Sequence, residues 1–418
     1  MDGLIINDGI GMGRLLLYSD IEKSKTCRLN AEPVIIAAPD LTPNDFIKLE
    51  KWVPAGFITT NGTINSHTSI LIRNLGVPAV TNIPIQNEWN GKFVIIDAYQ
   101  GRIIVDPTQE AIQFYKKQEK QVAEEEARLL NEFRGSNTKT RSGKRIHVYA
   151  NITSPSDMQN VIDYDAEGIG VFKSEFLYLG VKDYPTEDEQ FEIYKNIATT
   201  MGNKKVVIRT LDIGADKKVD YFNLDAEDNP AMGYRAIRIC LNQPEIFLPQ
   251  IKAILRASAY GNVSIMYPMV VSVEEVLKIQ KIVGHAMQEL RSAEIPFNEK
   301  IEQGIMMETP AAVMISEDLA KVVDFFSIGT NDLMQYLFAA DRQNPKLREL
   351  LDPYHPAVTH SIRHIIQSAH AAGIWVGVSG ELASDLAYVR LFVEYGIDAL
   401  AVSPMRILKV RRVISEID

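Results

Sequence analysis

From residue 144 onward, short runs of apolar and β-branched residues are bounded by Gly, Pro, Asn or Asp and separated by longer stretches with apolar positions at helical spacing. The runs fall at residues 146–151, 168–172, 206–209, 264–269, 304–308, 325–329, 375–379 and 399–403. Eight strand-like runs with helices between them, over roughly 270 residues, predict a (β/α)8 barrel, with a doubly wound open sheet as the alternative. The polar positions favour the barrel. Arg209, Glu308, Asn331, Asp332 and Ser379 each fall at or just beyond the C-terminal end of a run, where barrel active sites are assembled.

The first 110 residues follow a different pattern. Apolar runs at 15–18, 34–38, 56–59, 79–80 and 93–97 alternate with turns, which predicts a small α/β domain. Leu41-Thr42-Pro43-Asn44-Asp45 opens a helix, with a capping residue before a proline at the first helical position. Residues 108–134 are charged on most faces around a thin apolar stripe, as suits an exposed connecting helix. The predicted organisation is a small domain over 1–110, a helical linker over 111–143 and a barrel over 144–418, an α/β fold throughout.

Charge and cysteine content narrow the functions. The chain has 418 residues and a formal net charge of −10, so no excess of Lys and Arg exists to displace counterions from nucleic acid. Two cysteines, Cys27 and Cys240, give neither a disulfide framework nor a metal-knuckle spacing, which fits a reducing cytoplasm. No run approaches the about 18 apolar residues that a membrane span needs, and a basic n-region is absent, so no membrane insertion is expected.

Candidate chemistry lies in both parts. His67 stands between Ser66 and Thr68, where a polar turn gives way to Ile70, Leu71 and Leu75 at helical spacing. A helix start favours an anion, and phosphoimidazole would be one; the position equally suits a capping or surface histidine. Arg209, Arg235 and Arg342 come from separate segments. Converging on one mouth, their forks would describe a small, highly anionic substrate. Glu308 and Asp332 supply hard oxygen atoms from neighbouring strands, the means by which Mg²⁺ is held together with substrate oxygens, although each also suits a helix cap.

The segments Ser66-His67-Thr68-Ser69-Ile70, Arg209-Thr210-Leu211-Asp212-Ile213-Gly214, Gly304-Ile305-Met306-Met307-Glu308-Thr309-Pro310 and Ser327-Ile328-Gly329-Thr330-Asn331-Asp332-Leu333 together resemble the phosphoenolpyruvate-utilising family, and within it the enzyme I group of the bacterial sugar phosphotransferase system. The resemblance covers nearly the whole chain in the same order. It implies a swivelling phosphohistidine domain, a linker helix and a barrel that binds phosphoenolpyruvate and Mg²⁺ and forms a homodimer. His67 matches the histidine that takes the phosphoryl group, and Thr42 a threonine that orients it. Lys173, Arg209, Arg235, Asn331 and Arg342 match substrate-binding positions, Glu308 and Asp332 the metal ligands. The implied activity is Mg²⁺-dependent transfer from phosphoenolpyruvate to His67 and on to an acceptor, expected to be a protein, with release of pyruvate.

Three departures qualify the resemblance. The large helical domain that docks the carrier protein is replaced by a short bridge near residues 21–30. The family's proton-donor cysteine position is Ser379, and an alcohol is a far weaker acid than a thiol of pKa about 8.5. A family arginine is Lys173, which keeps the charge and loses the bidentate fork. These changes leave two alternatives to an active phosphotransferase: a phosphoenolpyruvate-binding sensor, or an enzyme acting on a different enolate or phosphonate.

Overall fold

The computed structural model describes the chain except for residues 1–2, 24–32, 42–44, 46–48, 50–51, 53, 62–68, 70–71, 73–74, 180 and 215–218. It divides into two compact units, Met1–Asn131 and Glu132–Asp418.

The first unit is built on a mixed sheet. Its described strands are β1 (Leu4–Asn7), β2 (Ile10–Leu17), β3 (Val34–Ala38), β4 (Pro54–Thr59), β5 (Ala79–Thr81), β6 (Phe93–Asp97) and β7 (Arg102–Val105), in the order β1-β5-β4-β3-β2-β6-β7. The β2–β3, β3–β4 and β4–β5 pairs are parallel, while β1–β5, β2–β6 and β6–β7 are antiparallel. Alternation along each strand feeds two cores. Ile35, Ala37, Ile58, Val80 and Ile96 pack in one cluster, and Ile36, Ala38, Phe57 and Ala79 in another. Both faces of the central strands are therefore covered, which explains why these strands read as continuous apolar runs.

Three differences from the sequence pattern appear here. Strands β1 and β7 were not anticipated, because each has only four residues and little to set it apart from its turns. Strand β2 begins at Ile10, well before the apolar run. Tyr18 belongs to the helix Tyr18–Lys23 and not to the strand.

The helix Gln109–Phe133 runs for 25 residues. Tyr115, Leu129 and Phe133 are its buried positions, so its apolar stripe is narrow. Near its start the Tyr115 hydroxyl donates to the buried Asp97 carboxylate (3.0 Å), which also accepts from the backbone N–H groups of Tyr99 and Gln100 in the β6–β7 turn.

In the second unit, β8 (His147–Ile152), β9 (Gly168–Lys173), β10 (Lys205–Arg209), β11 (Val263–Tyr267), β12 (Glu302–Met307), β13 (Phe325–Ile328), β14 (Trp375–Val378) and β15 (Ala399–Val402) form a closed barrel. Neighbours around it are parallel, and β15 pairs with β8 to close the circle. All eight expected strands are present, and closure decides for the barrel over the open sheet.

Its interior is filled by side chains. Val171, Val207, Met266, Met306 and Phe325 form one packed layer, and Trp375 stacks on Phe325 with ring centroids 4.4 Å apart. The helices wrap this cylinder with Ile, Leu, Val and Phe side chains that make the larger outer core. Among the described residues no helix is long and apolar enough to cross a membrane.

Candidate active site

The inward-facing positions one turn above the packed layer are polar. Because side chains alternate along a strand, Val207 in the packed layer places Arg209 at the mouth, and Met306 places Glu308 there. Lys173 ends β9, Ser379 follows β14, and Asn331 and Asp332 lie in the first turn of the helix Thr330–Leu337 that follows β13.

Arg209 is 6% exposed and Arg235 4%. Arg209 Nη2 pairs with the Glu175 carboxylate and lies 3.1 Å from Asp212 Oδ2, while its Nη1 points at the Met306 sulfur. Arg235 Nη2 donates to Asp212 Oδ1 (2.8 Å) and Nη1 to the Tyr336 hydroxyl (3.0 Å), with Asp332 Oδ1 at 3.6 Å. Burial opposes the charge on both guanidiniums. Glu175 and Asp212 around Arg209, and Asp212 and Asp332 around Arg235, outweigh it and hold both pKa values above the ordinary range.

Glu308 is fully enclosed and accepts a hydrogen bond from Met269 N–H (2.7 Å). Burial, then the charges of Asp332 and Asp212, push its carboxyl up to about 8. Four carboxylates, Glu175, Asp212, Glu308 and Asp332, thus surround two deeply buried arginines. Ionising Glu308 beside Asp332 would leave an excess of negative charge there, which a divalent cation would neutralise. Gly329 leaves the space for this arrangement of carboxylates to form: a Cβ there would lie 2.8 Å from Glu308 Oε2. Among the described residues no group of three or more His, Cys, Asp or Glu side chains stands together to hold a metal unaided. Two carboxylates plus oxygen atoms of a substrate fit Mg²⁺, which retains water and commonly takes only one or two protein carboxylates.

The mouth also holds buried donors without partners. Nε of Arg209 and Nε of Arg235 make no hydrogen bond among the described residues. Such groups cost free energy unless a ligand or water satisfies them.

Arg342 approaches from the segment after the helix Thr330–Leu337, its backbone N–H held by Gln335 Oε1 (3.1 Å). With Arg235, Asp332 and Gln335 it lines a pocket of about 220 Å³. The Asn331 side-chain oxygen accepts from Glu381 N–H (3.3 Å). Lys173 is half-buried, and its charge acts on the half-buried Asp157, whose carboxyl is raised by desolvation against the pull of bonds from Thr153 and Ser154. Ser379 is fixed twice: Ser327 Oγ donates to its hydroxyl (2.9 Å), and Asn151 Nδ2 donates to its backbone oxygen (3.0 Å).

The barrel brings together Arg209, Arg235, Glu308 and Asp332 by direct contact or charge, and Arg342 lines a pocket with two of them. His67 and Thr42 lie outside the described residues. Sequence reasoning assigned no role to Glu175, Asp212 or Tyr336. For Glu175 and Asp212 the available signal was a charged side chain two or three residues past the end of a buried strand; Tyr336, inside the helix Thr330–Leu337, offered none.

Residues 30–101 match the family described as PEP-utilising enzyme, mobile domain, and residues 127–418 match PEP-utilising enzyme, PEP-binding domain. The phosphoenolpyruvate-protein phosphotransferase of Staphylococcus aureus is 42% identical over 387 residues, covering 92% of this chain and 67% of that protein. The protein of the same name from Priestia megaterium is 41% identical over 394 residues, covering 93% of this chain and 68% of its own length. A solved citrate lyase from Burkholderia xenovorans LB400 is 16% identical, with a TM-score of 0.44 over 64% of this chain and 76% of that one, a likeness too distant to bear on chemistry.

Proposed function

The chain belongs to the phosphoenolpyruvate-utilising enzymes, and from that premise we propose that it transfers the phosphoryl group of phosphoenolpyruvate to His67 and then to an acceptor protein, releasing pyruvate. The observation that carries the reading is the pair of buried arginines, Arg209 and Arg235, with unpartnered donors beside two carboxylates at one barrel mouth.

Phosphoryl transfer asks a protein mainly for positioning and charge neutralisation. Arg209 and Arg235 supply fixed positive charge for phosphate and carboxylate oxygens, with Arg342, Asn331 and Lys173 completing the set. Glu308 and Asp332 would hold Mg²⁺, which when bound neutralises developing charge on the phosphoryl oxygens and orients them. Neutral His67, with an unperturbed pKa of about 6.5, is a competent nucleophile near pH 7, and Thr42 orients it. Breaking the bond from phosphorus to the enol oxygen leaves the enolate of pyruvate, whose C3 must take a proton. Ser379 stands at the position from which that proton would come. The division proposed is a phosphocarrier domain over 1–110, a helical linker over 111–143 and a phosphoenolpyruvate-binding barrel over 144–418, acting in the cytoplasm as a homodimer.

Ser379 and Lys173 favour a second reading, a phosphoenolpyruvate sensor that binds and does not turn over. A coupled pyruvate assay in the absence of acceptor separates the two. The phosphotransferase gives a burst of about one pyruvate per His67, whereas calorimetric binding of phosphoenolpyruvate with Mg²⁺ and no pyruvate leaves only the sensor.

A further inference from the structure

The two substrate arginines come from positions 26 residues apart and are joined through one side chain. Asp212 is 3% exposed, and its two oxygens engage different guanidiniums: Oδ2 lies 3.1 Å from Arg209 Nη2, and Oδ1 accepts from Arg235 Nη2 at 2.8 Å. Glu175 pairs with Arg209 and Asp332 with Arg235.

The backbone beside Asp212 makes the same connection. Gly214 has φ +108°, and a Cβ there would lie 2.5 Å from Arg235 Cβ. Ala236 N–H donates to Ile213 O at 2.9 Å. The segment Asp212-Ile213-Gly214 therefore seats Arg235 against the end of β10 by contact, by a backbone hydrogen bond and by an ion pair.

We propose that Asp212 is a positioning residue that sets the separation and orientation of Arg209 and Arg235, making them a single preformed clamp for the oxygens of phosphoenolpyruvate. The assignment rests on the phosphotransferase reading of this site. Its physical basis is that two like charges brought together in a buried mouth repel, and that long side chains lose rotamer entropy when they bind. A carboxylate bridging them removes both costs before the ligand arrives, and preorganisation of this kind contributes affinity.

The opposite effect is equally definite. A plain counterion weakens anion binding, because it cancels positive charge that the ligand would otherwise meet. The two roles predict opposite signs for Asp212→Asn, which keeps the shape and removes the charge. Asp212→Glu is the complementary change, keeping the charge and moving the oxygens by one methylene.

Binding of phosphoenolpyruvate with Mg²⁺ is measured by calorimetry on the full chain carrying His67→Ala, so that no transfer intervenes, and the rate of the single pyruvate burst at saturating phosphoenolpyruvate is measured with His67 intact. Positioning predicts that both substitutions raise Kd by about tenfold or more and that the burst rate at saturation also falls, since a misplacement of about 1 Å can cost about a hundredfold in rate. Melting temperatures report folding. An Asn variant that binds as tightly as the parent or more tightly, or a Glu variant that restores parental affinity, overturns the assignment. So does loss of the native melt in both variants, which marks Asp212 as a core counterion. If the parent itself binds no phosphoenolpyruvate, the reading of the site falls, and the clamp falls with it; binding by the parent with unaltered variants removes the clamp alone.

Discussion

Arg209 and Arg235 are the residues on which the account of the barrel mouth turns. Each is held by carboxylates that burial would make costly to leave alone, so removing an arginine damages stability as well as binding. Arg209→Ala is expected to lower the unfolding free energy by about 3–5 kcal/mol, read from urea unfolding, because Glu175 then keeps buried charge without the guanidinium it pairs with and Asp212 loses one of its two arginines. Arg209→Lys is expected to keep most of that stability and lose affinity for phosphoenolpyruvate, since an ammonium cannot present a planar fork. Ser379 carries a separate prediction. Ser379→Cys is expected to speed pyruvate release by about a hundredfold, the lower end of what a positioned general acid contributes. The thiol donates only while protonated, so the gain is present below a pKa of about 8.5 and lost above it. A coupled pyruvate assay between pH 6 and about 10 shows this limb, and an unchanged rate assigns C3 protonation to another donor.

At the scale of elements, the strand ends are what place these residues, and the barrel strands were the most legible part of the sequence. Each is a short β-branched run with both faces buried, and the eight expected strands agree with the observed ones to within about two residues at either end. The small sheet was less legible. Its edge strand β1 and the hairpin strand β7 have four residues each, and they acquire strand geometry from pairing with β5 and β6 rather than from their own pattern. The candidate site divides in the same way. Arg209, Glu308 and Asp332 stand out because polar residues interrupt apolar runs. The link from Asp212 to Arg235 depends on a turn at Gly214 and is invisible as spacing.

The end of the long helix shows a further tie of this kind. Fully buried Arg411 donates to Phe133 O (2.8 Å) and Ser136 O (2.6 Å), taking up carbonyls where the helix Gln109–Phe133 ends. Arg411→Ala is expected to destabilise the second unit by about 3 kcal/mol, by the loss of a buried, multiply bonded guanidinium. Hydrogen exchange would report it as earlier opening around residues 133–136.

At the scale of the whole molecule, stability should depend on pH through the floor of the barrel. Burial and then the neighbouring Arg145 hold the His147 pKa below its ordinary value, against Glu167 and Asp398. A histidine with a depressed folded pKa is neutral in the fold while the unfolded chain takes a proton. Its stabilising contribution is therefore present above the unfolded pKa of about 6.5 and is lost as pH falls below it. His147→Gln is expected to flatten the decline in melting temperature between pH 6.5 and about 5. On the proposed mechanism the activity requires both units, the barrel for phosphoenolpyruvate and the first unit for His67. Intact-protein mass spectrometry after incubation with phosphoenolpyruvate and Mg²⁺, before and after brief acid treatment, tests this most directly. One acid-labile phosphoryl group is expected on the wild-type chain and none on His67→Ala; a phosphoryl group that persists in His67→Ala, or none on the wild type at any pH near neutrality, would rule out His67 as the phosphoryl carrier.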